Sequence, residues 1–301
     1  MATSGQFRCN GLAKAIFDLT TQRGVLFATM CAGRQSDTGA RRKVILTGLF
    51  SSTSRTPLRQ APGPIKIHKV NLANIENHLI EMLPRKDRLR LLSICESVQF
   101  ELGTVLCEAG TPTRHVYFPV FGSISLLTPI DGKPALEVGM VGREGMVGAQ
   151  LALGVVTTPL HALVQGEGEA WRIGAAAFQR EFAGSVALQR GLNRYLYVLM
   201  AQLASSAACF RFHSIGPRLA RWLLMSQDRA HADQFRVTHE FLACMLGVRR
   251  VGITAAAGAM QRKGLIEYHR GNLKVLNRRG LEAAACSCYA EDRQAYAQLL
   301  S

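Results

Sequence analysis

Acidic residues are scarce in this chain of 301 residues: 21 Asp and Glu stand against 36 Lys and Arg, for a net charge of +15. That excess points to a polyanion or an anionic membrane surface rather than an acidic partner protein, with nucleic acid first among the polyanions. A disulfide framework is also lacking. Eight Cys spread through 301 residues without framework spacing exclude a small disulfide-rich secreted domain. No membrane span is expected. The charge-free stretch 145–166 is broken by four Gly, Pro159, two Gln and His161, and the stretch 195–210 has only 16 residues and contains Gln202, Ser205 and Ser206. Both fall short of the roughly 20 apolar residues a bilayer requires. Catalytic signatures are missing as well: there is no GxSxG, no HExxH and no GxxxxGK(S/T), so no catalytic residue is expected.

With 48% hydrophobic residues, the chain has material for two packed domains. Its charge is uneven. Residues 1–70 carry 11 basic and 2 acidic side chains, residues 71–235 carry 15 and 14, and residues 236–279 carry 9 and 2. The basic character therefore lies in an N-terminal extension and one late segment. The extension contains Arg41, Arg42 and Lys43, a Ser/Thr cluster around 51–56, and Pro62 and Pro64, with little periodicity. It reads as mostly disordered. Two other readings stay open: an organelle transit peptide with a weak helix over 16–30, or a start codon further downstream.

Residues 98–173 hold 11 Gly, which punctuate short apolar runs such as 116–121 and 124–127. This predicts a loop-rich β architecture. A helix is expected before it, over 75–95, with Leu79, Met82, Leu89 and Leu92 on the apolar side. After it, Leu192, Leu196, Leu199, Leu203 and Phe210 recur at alternating spacings of four and three, with Ser206 in register. This is the spacing of a coiled-coil seam, read here as a symmetric dimer contact, against the alternative of a helix buried in its own domain.

Residues 238–263 have the pattern of two helices joined by a tight turn. Thr238 is a candidate N-cap, and Phe241, Leu242, Met245 and Leu246 form an apolar face. Gly247 can take a positive φ, Val248 can fill the corner, and Ala243 is small where the helices would cross. Ile253, Ala256 and Met260 would face inward on the second helix, leaving Arg249, Arg250 and Thr254 near its exposed start. Two short apolar runs, 265–268 and 273–276, flank the basic turn at 269–272, as in a wing. A helix start carrying two Arg fits the roughly 12 Å major groove, while Arg270 and Lys274 are placed for phosphates. Arg236 and His239 complete the candidate DNA contacts.

Four stretches carry a family resemblance: VYFPVFGSISLL (116–127), GREGMVG (142–148), FRFHSIGPRLARWLL (210–224) and the 238–276 segment. Over nearly all of 71–290 the chain resembles the Crp/Fnr family of bacterial transcription regulators. The resemblance implies an α+β fold: an N-terminal β-roll of the cyclic-nucleotide-binding jelly-roll kind, a long dimerisation helix, and a C-terminal winged helix-turn-helix. The expected divisions are a basic extension at 1–70, a β-roll sensor domain with flanking helices at 71–184, a dimerisation helix at 185–213, a DNA-binding domain at 214–290 and a tail at 291–301.

The implied function is a cytoplasmic homodimer that regulates transcription by binding an inverted-repeat operator in double-stranded DNA, with RNA polymerase as a further candidate partner. The recognition helix would begin at Arg249, and Arg250 falls where cyclic-AMP-sensing members have a guanine-reading arginine. Their other base-reading positions hold Val251 and Ala255, so their operator does not transfer. Cyclic-nucleotide binders in this fold use a Gly-Glu pair and an Arg. Here Gly148 precedes Ala149, and 157–164 contains no Arg, so cyclic AMP is not the expected effector. Arg143 and Glu144 are expected in a solvated turn. No cofactor or metal site is expected. Cys9, Cys31, Cys95 and Cys107 are scattered, Cys244 lies inside the first helix of the motif, and the Cys286–Cys288 CxC pair reads as ordinary helix-end cysteines. His115 and His161 are lone histidines rather than haem ligands. The competing reading is a β-roll scaffold whose late domain mediates protein contacts.

Overall fold

The computed structural model describes residues 66–68, 77–130, 133–230 and 232–300. The expectations for residues 1–65 lie outside the described residues. Residues 66–68, counted above with the extension, form an edge strand, β1 (Lys66–His68), paired antiparallel with β2 (Glu96–Phe100).

Two short helices precede β2: α1 (His78–Glu81) and α2 (Arg85–Leu92). The single helix expected over 75–95 is broken because Pro84 supplies no N–H and disfavours helical backbone at Leu83. The break also changes which side chains turn inward. Leu79, Ile80, Leu83, Leu91 and Leu92 are buried, whereas Met82 and Leu89 are exposed.

The β-roll is two antiparallel four-stranded sheets. Its further strands are β3 (Val105–Cys107), β4 (His115–Phe121), β5 (Ile124–Ile130), β6 (Lys133–Val141), β7 (His161–Val164) and β8 (Gly168–Gly174). One sheet has the order β1-β2-β8-β4 and the other β3-β7-β5-β6. Alternation along β4 explains how one strand serves two cores. Tyr117 points between the sheets with Phe100, Ile124 and Val164, while Val116 and Phe118 point outward, opposite Ile173 and Trp171 of β8. That outer face is covered by α1, α2, α3 (Ala175–Gly184) and the first half of α4 (Val186–Phe212).

The GREGMVG stretch is a crossing point. Asn77 Nδ2 donates to Pro119 O and Gly145 O, each at 2.9 Å, and Tyr195 Oη donates to Met146 O at 3.0 Å. Gly145 is required by this approach, since a Cβ there would lie 2.5 Å from the Tyr195 ring.

α4 has 27 residues, about 40 Å of helix. Its Leu repeat faces differently from the expected seam. Leu192 is 1% exposed within the chain's own core, so it is not available to a partner. Leu196 and Leu199 lean on the cores of the same chain, and Leu203 lies against Gly139 of β6. Phe210 is half-buried, with the Arg218 guanidinium 5.0 Å over its ring. The outward stripe is a neighbouring one, spaced four and three through Asn193, Tyr197, Met200, Ala204 and Ala207. The β-roll reaches α4 from one side and takes the Leu side chains, which a periodicity common to both stripes could not reveal.

The last domain contains α5 (Ile215–Ala230), β9 (Gln234–Arg236), α6 (His239–Met245), α7 (Arg250–Arg262), β10 (Ile266–His269), β11 (Asn272–Val275), α8 (Arg278–Ala284) and α9 (Ser287–Leu299). Its sheet order, β10-β11-β9, includes a third strand that the sequence pattern did not suggest. The Leu219, Leu223, Leu242, Ile253, Leu273 and Leu281 side chains meet in its core. Among the described residues, no single helix is long and apolar enough to cross a membrane.

Candidate nucleic-acid interface

The two helices of the motif are fixed by their ends. Thr238 Oγ1 accepts the Phe241 N–H at 3.1 Å, starting α6 as an N-cap should. Gly247, at φ +61°, reverses the chain, and Val248 N–H donates to Ala243 O at 2.9 Å. α7 then leaves at 111° to α6. Ala243 is 3% exposed at the crossing, and Arg218 donates to the Leu246 carbonyl at the end of α6. The buried side of α7 is Ile253, Ala257 and Met260; Ala256, expected inward, is only partly covered.

This leaves the first turns of α7 open. Arg249 is its N-cap, and Arg249, Arg250, Val251, Thr254 and Ala255 are exposed. Beside them, β10 and β11 pair in register, Glu267 opposite Lys274 and His269 opposite Asn272, closing on a two-residue turn of Arg270 (φ 47°) and Gly271 (φ 84°). Arg270 and Lys274 are exposed on this wing. Arg236 is exposed on β9, opposite Asn272.

His239 is placed differently from the rest. Its ring stacks on Tyr268 at 4.3 Å between centroids and 19° between planes, and Nδ1 is hydrogen-bonded to Thr254 Oγ1 at 3.1 Å. Nε2 is enclosed without a partner. Burial and then the nearby Arg250 charge lower the His239 pKa, which favours the neutral ring. Thr254 Oγ1 also lies 3.1 Å from the Arg250 carbonyl, so the chain from Tyr268 to Arg250 links wing and recognition helix. Tyr268, whose hydroxyl donates to Val237 O at 3.0 Å, does not stand out in the sequence because its stacking partner His239 lies 29 positions earlier.

The same unit is docked on the β-roll. Met245 of α6 packs with Leu127 and Leu163, and the Gly247 turn abuts Leu136 of β6. Arg229 Nε forms an ion pair with Glu144 Oε1 at 2.7 Å, with both side chains largely buried. Glu144 is therefore not in a solvated turn; α5 covers it. Arg143 is engaged too, donating to His78 Nε2 at 3.1 Å.

At the position to which the resemblance assigns cyclic-nucleotide binding, neither the Gly-Glu pair nor the arginine is present. Gly148 (φ 91°) leads into a 3-10 helix at Ala149–Leu153, where Ala149 is buried in place of a ribose-binding Glu. No arginine follows on the turn or on β7, and His161 Nδ1 accepts the Ala109 N–H.

Comparison with known proteins agrees with this geometry. A cyclic nucleotide-binding domain model matches residues 97–185, and a Crp-like helix-turn-helix domain model matches residues 217–284. The arrangement is that of a domain of the cyclic nucleotide-binding kind joined to a Crp-like helix-turn-helix domain, and the chain belongs to the Crp/Fnr family of transcription regulators. Among solved structures it is similar to a Crp/Fnr-family transcriptional regulator from Eubacterium rectale (17% identity, 69% of this chain and 99% of that one, TM-score 0.55). It is also similar to FixK2 from Bradyrhizobium japonicum (13%, 64% and 98%, 0.55). A third is the c-di-GMP-responsive global regulator CLP of Xanthomonas campestris (19%, 64% and 99%, 0.53). At these identities the likeness concerns the fold. No curated protein matches the sequence.

Proposed function

We propose that the chain is a cytoplasmic, homodimeric regulator that reads an inverted-repeat operator through α7 and responds to an effector other than cyclic AMP. The observation that carries this reading is the open start of α7, with Arg249, Arg250 and Thr254 exposed beside a wing that bears Arg270 and Lys274. Arg250 reads a guanine edge, Arg270, Lys274 and Arg236 grip phosphates, and His239 supports Thr254 from beneath. The dimer seam is the outward stripe of α4, where Tyr197 and Met200 are 59% and 62% exposed, rather than the Leu192 stripe. The β-roll acts on DNA reading through its contact with α6 and through Glu144. RNA polymerase is a further candidate partner.

The test is selection of bound duplexes from a random pool by the purified full chain, followed by variants. Arg250→Ala is expected to weaken the selected operator far more than random duplex, by about 1–3 kcal/mol of lost discrimination. Arg270→Gly and Lys274→Ala are expected to weaken both alike and to lower the salt slope by about one unit each. Equal loss on both duplexes from Arg250→Ala would pass base reading to Arg249 or Thr254. If no duplex is enriched and binding to partners is insensitive to salt, the late domain is a protein-contact module instead.

A further inference from the structure

The end of α4 and the junction between α8 and α9 bring together four side chains that the sequence keeps far apart. Cys209 and His213 are four residues apart in the last turn and C-cap of α4, on one face of the helix. Cys286 is the N-cap of α9 and Cys288 lies in its first turn. One ligand atom from each of the four lies within 4.8 Å of all the others. The three cysteines are buried, at 1%, 8% and 4% exposure, and His213 is partly so.

The spacing selects a coordination chemistry. In a tetrahedron with zinc–sulfur bonds of about 2.3 Å, neighbouring sulfurs stand about 3.8 Å apart; with a zinc–nitrogen bond of about 2.0 Å, sulfur and nitrogen stand about 3.5 Å apart. Here Cys209 Sγ and Cys286 Sγ are 3.6 Å apart, and Cys288 Sγ and His213 Nδ1 are also 3.6 Å apart. An iron–sulfur cluster would need its cysteines spread around a larger core. Charge agrees as well. Three thiolates around a divalent ion leave one net negative charge, and the buried guanidinium of Arg221, ion-paired with Asp292 at 2.6 Å, also interacts electrostatically with both Cys209 and Cys286. The start of the 13-residue α9 adds its dipole on the side of Cys286 and Cys288.

We propose that Cys209, His213, Cys286 and Cys288 form a closed, tetrahedral site for one zinc-class divalent ion. With four protein ligands and no open position, the site is structural. It pins the end of the long helix to the segment that follows the wing, fixing the joint between the two domains. Metal binding stands independently of the DNA-binding reading, since zinc content is read without DNA.

The full chain would be expressed with zinc supplied, purified under reductant, dialysed free of loose metal, and its zinc measured per chain by mass spectrometry. One bound zinc per chain is expected, lost in Cys288→Ser and His213→Ala and retained in Cys107→Ser, a buried thiol of the β-roll. X-ray absorption on the wild-type chain keeps the question answerable should the variants fail to fold. Three sulfurs at about 2.3 Å and one nitrogen at about 2.0 Å are expected. Wild-type protein without zinc, zinc retained by both variants, iron with acid-labile sulfide, or a Cys209–Cys286 disulfide in the mapped peptides would each overturn the site.

Discussion

Replacing Glu144 with Gln changes one charge and little else. Glu144 accepts the Gly142 N–H at 3.1 Å through Oε1, a bond that an amide oxygen can keep, and the carboxylate faces Arg229 at 2.7 Å. The side chains are only 16% and 7% exposed, so solvent screens the pair weakly. Two unit charges about 4 Å apart at an effective dielectric near 20 attract by about 4 kcal/mol. Desolvation opposes this, yet removing a single partner leaves the enclosed Arg229 charge without its paired carboxylate and with only the longer-range attraction of Asp228, a change that costs about 3–5 kcal/mol. Glu144→Gln is therefore expected to lower the unfolding free energy by about 3 kcal/mol. Arg229→Met with Glu144→Leu is expected to recover most of the loss, because neither charge is then buried. The assay is equilibrium urea unfolding of the wild type, Glu144→Gln, the single variants Glu144→Leu and Arg229→Met, and the double variant that combines these last two, with the coupling taken from the Leu/Met cycle. A loss below about 1 kcal/mol in Glu144→Gln, or a double variant that loses the sum of the singles, would refute the argument that this pair holds α5 to the β-roll.

Glu137 gives a pH prediction of defined sign. Burial, opposed by bonds from Ser125 and Trp222 and by Arg229 and Arg221, raises its pKa from 4.5 to about 7. The folded chain therefore holds a proton that the unfolded chain releases, so stability falls as pH rises from about 4.5 to 7, by about 3 kcal/mol in all. Glu137→Gln is expected to flatten that part of the profile in urea unfolding between pH 5 and pH 8, and an unchanged slope would show that Glu137 is not its source. On α4, Met200→Glu is expected to give monomers in sedimentation and to weaken operator binding, because two half-sites are no longer held together. Leu192→Ala is expected to cost about 2–5 kcal/mol of stability while the protein remains dimeric; a dimer lost with Leu192→Ala but kept with Met200→Glu would return the seam to the Leu stripe.

What the sequence determines here is what depends on neighbours along the chain. Thr238 as a cap, Gly247 at the turn, Ala243 at the crossing and the Arg270–Gly271 hairpin follow from backbone geometry within a few residues, so they could be read directly. The basic surplus of 236–279 likewise follows from composition alone. Pro84 was readable by the same logic, although apolar spacing on either side of it suggested one continuous helix. Tertiary structure decided everything that depends on which side another element approaches. The β-roll chose which stripe of α4 to bury, α5 covered Glu144, and Tyr268 came across the domain to occupy His239. The clearest case is the meeting of Cys209 and His213 with Cys286 and Cys288. An i, i+4 pair and a CxC pair are each common in sequence and carry little weight alone. They acquire meaning only when folding brings them within the few ångströms that one ion can span.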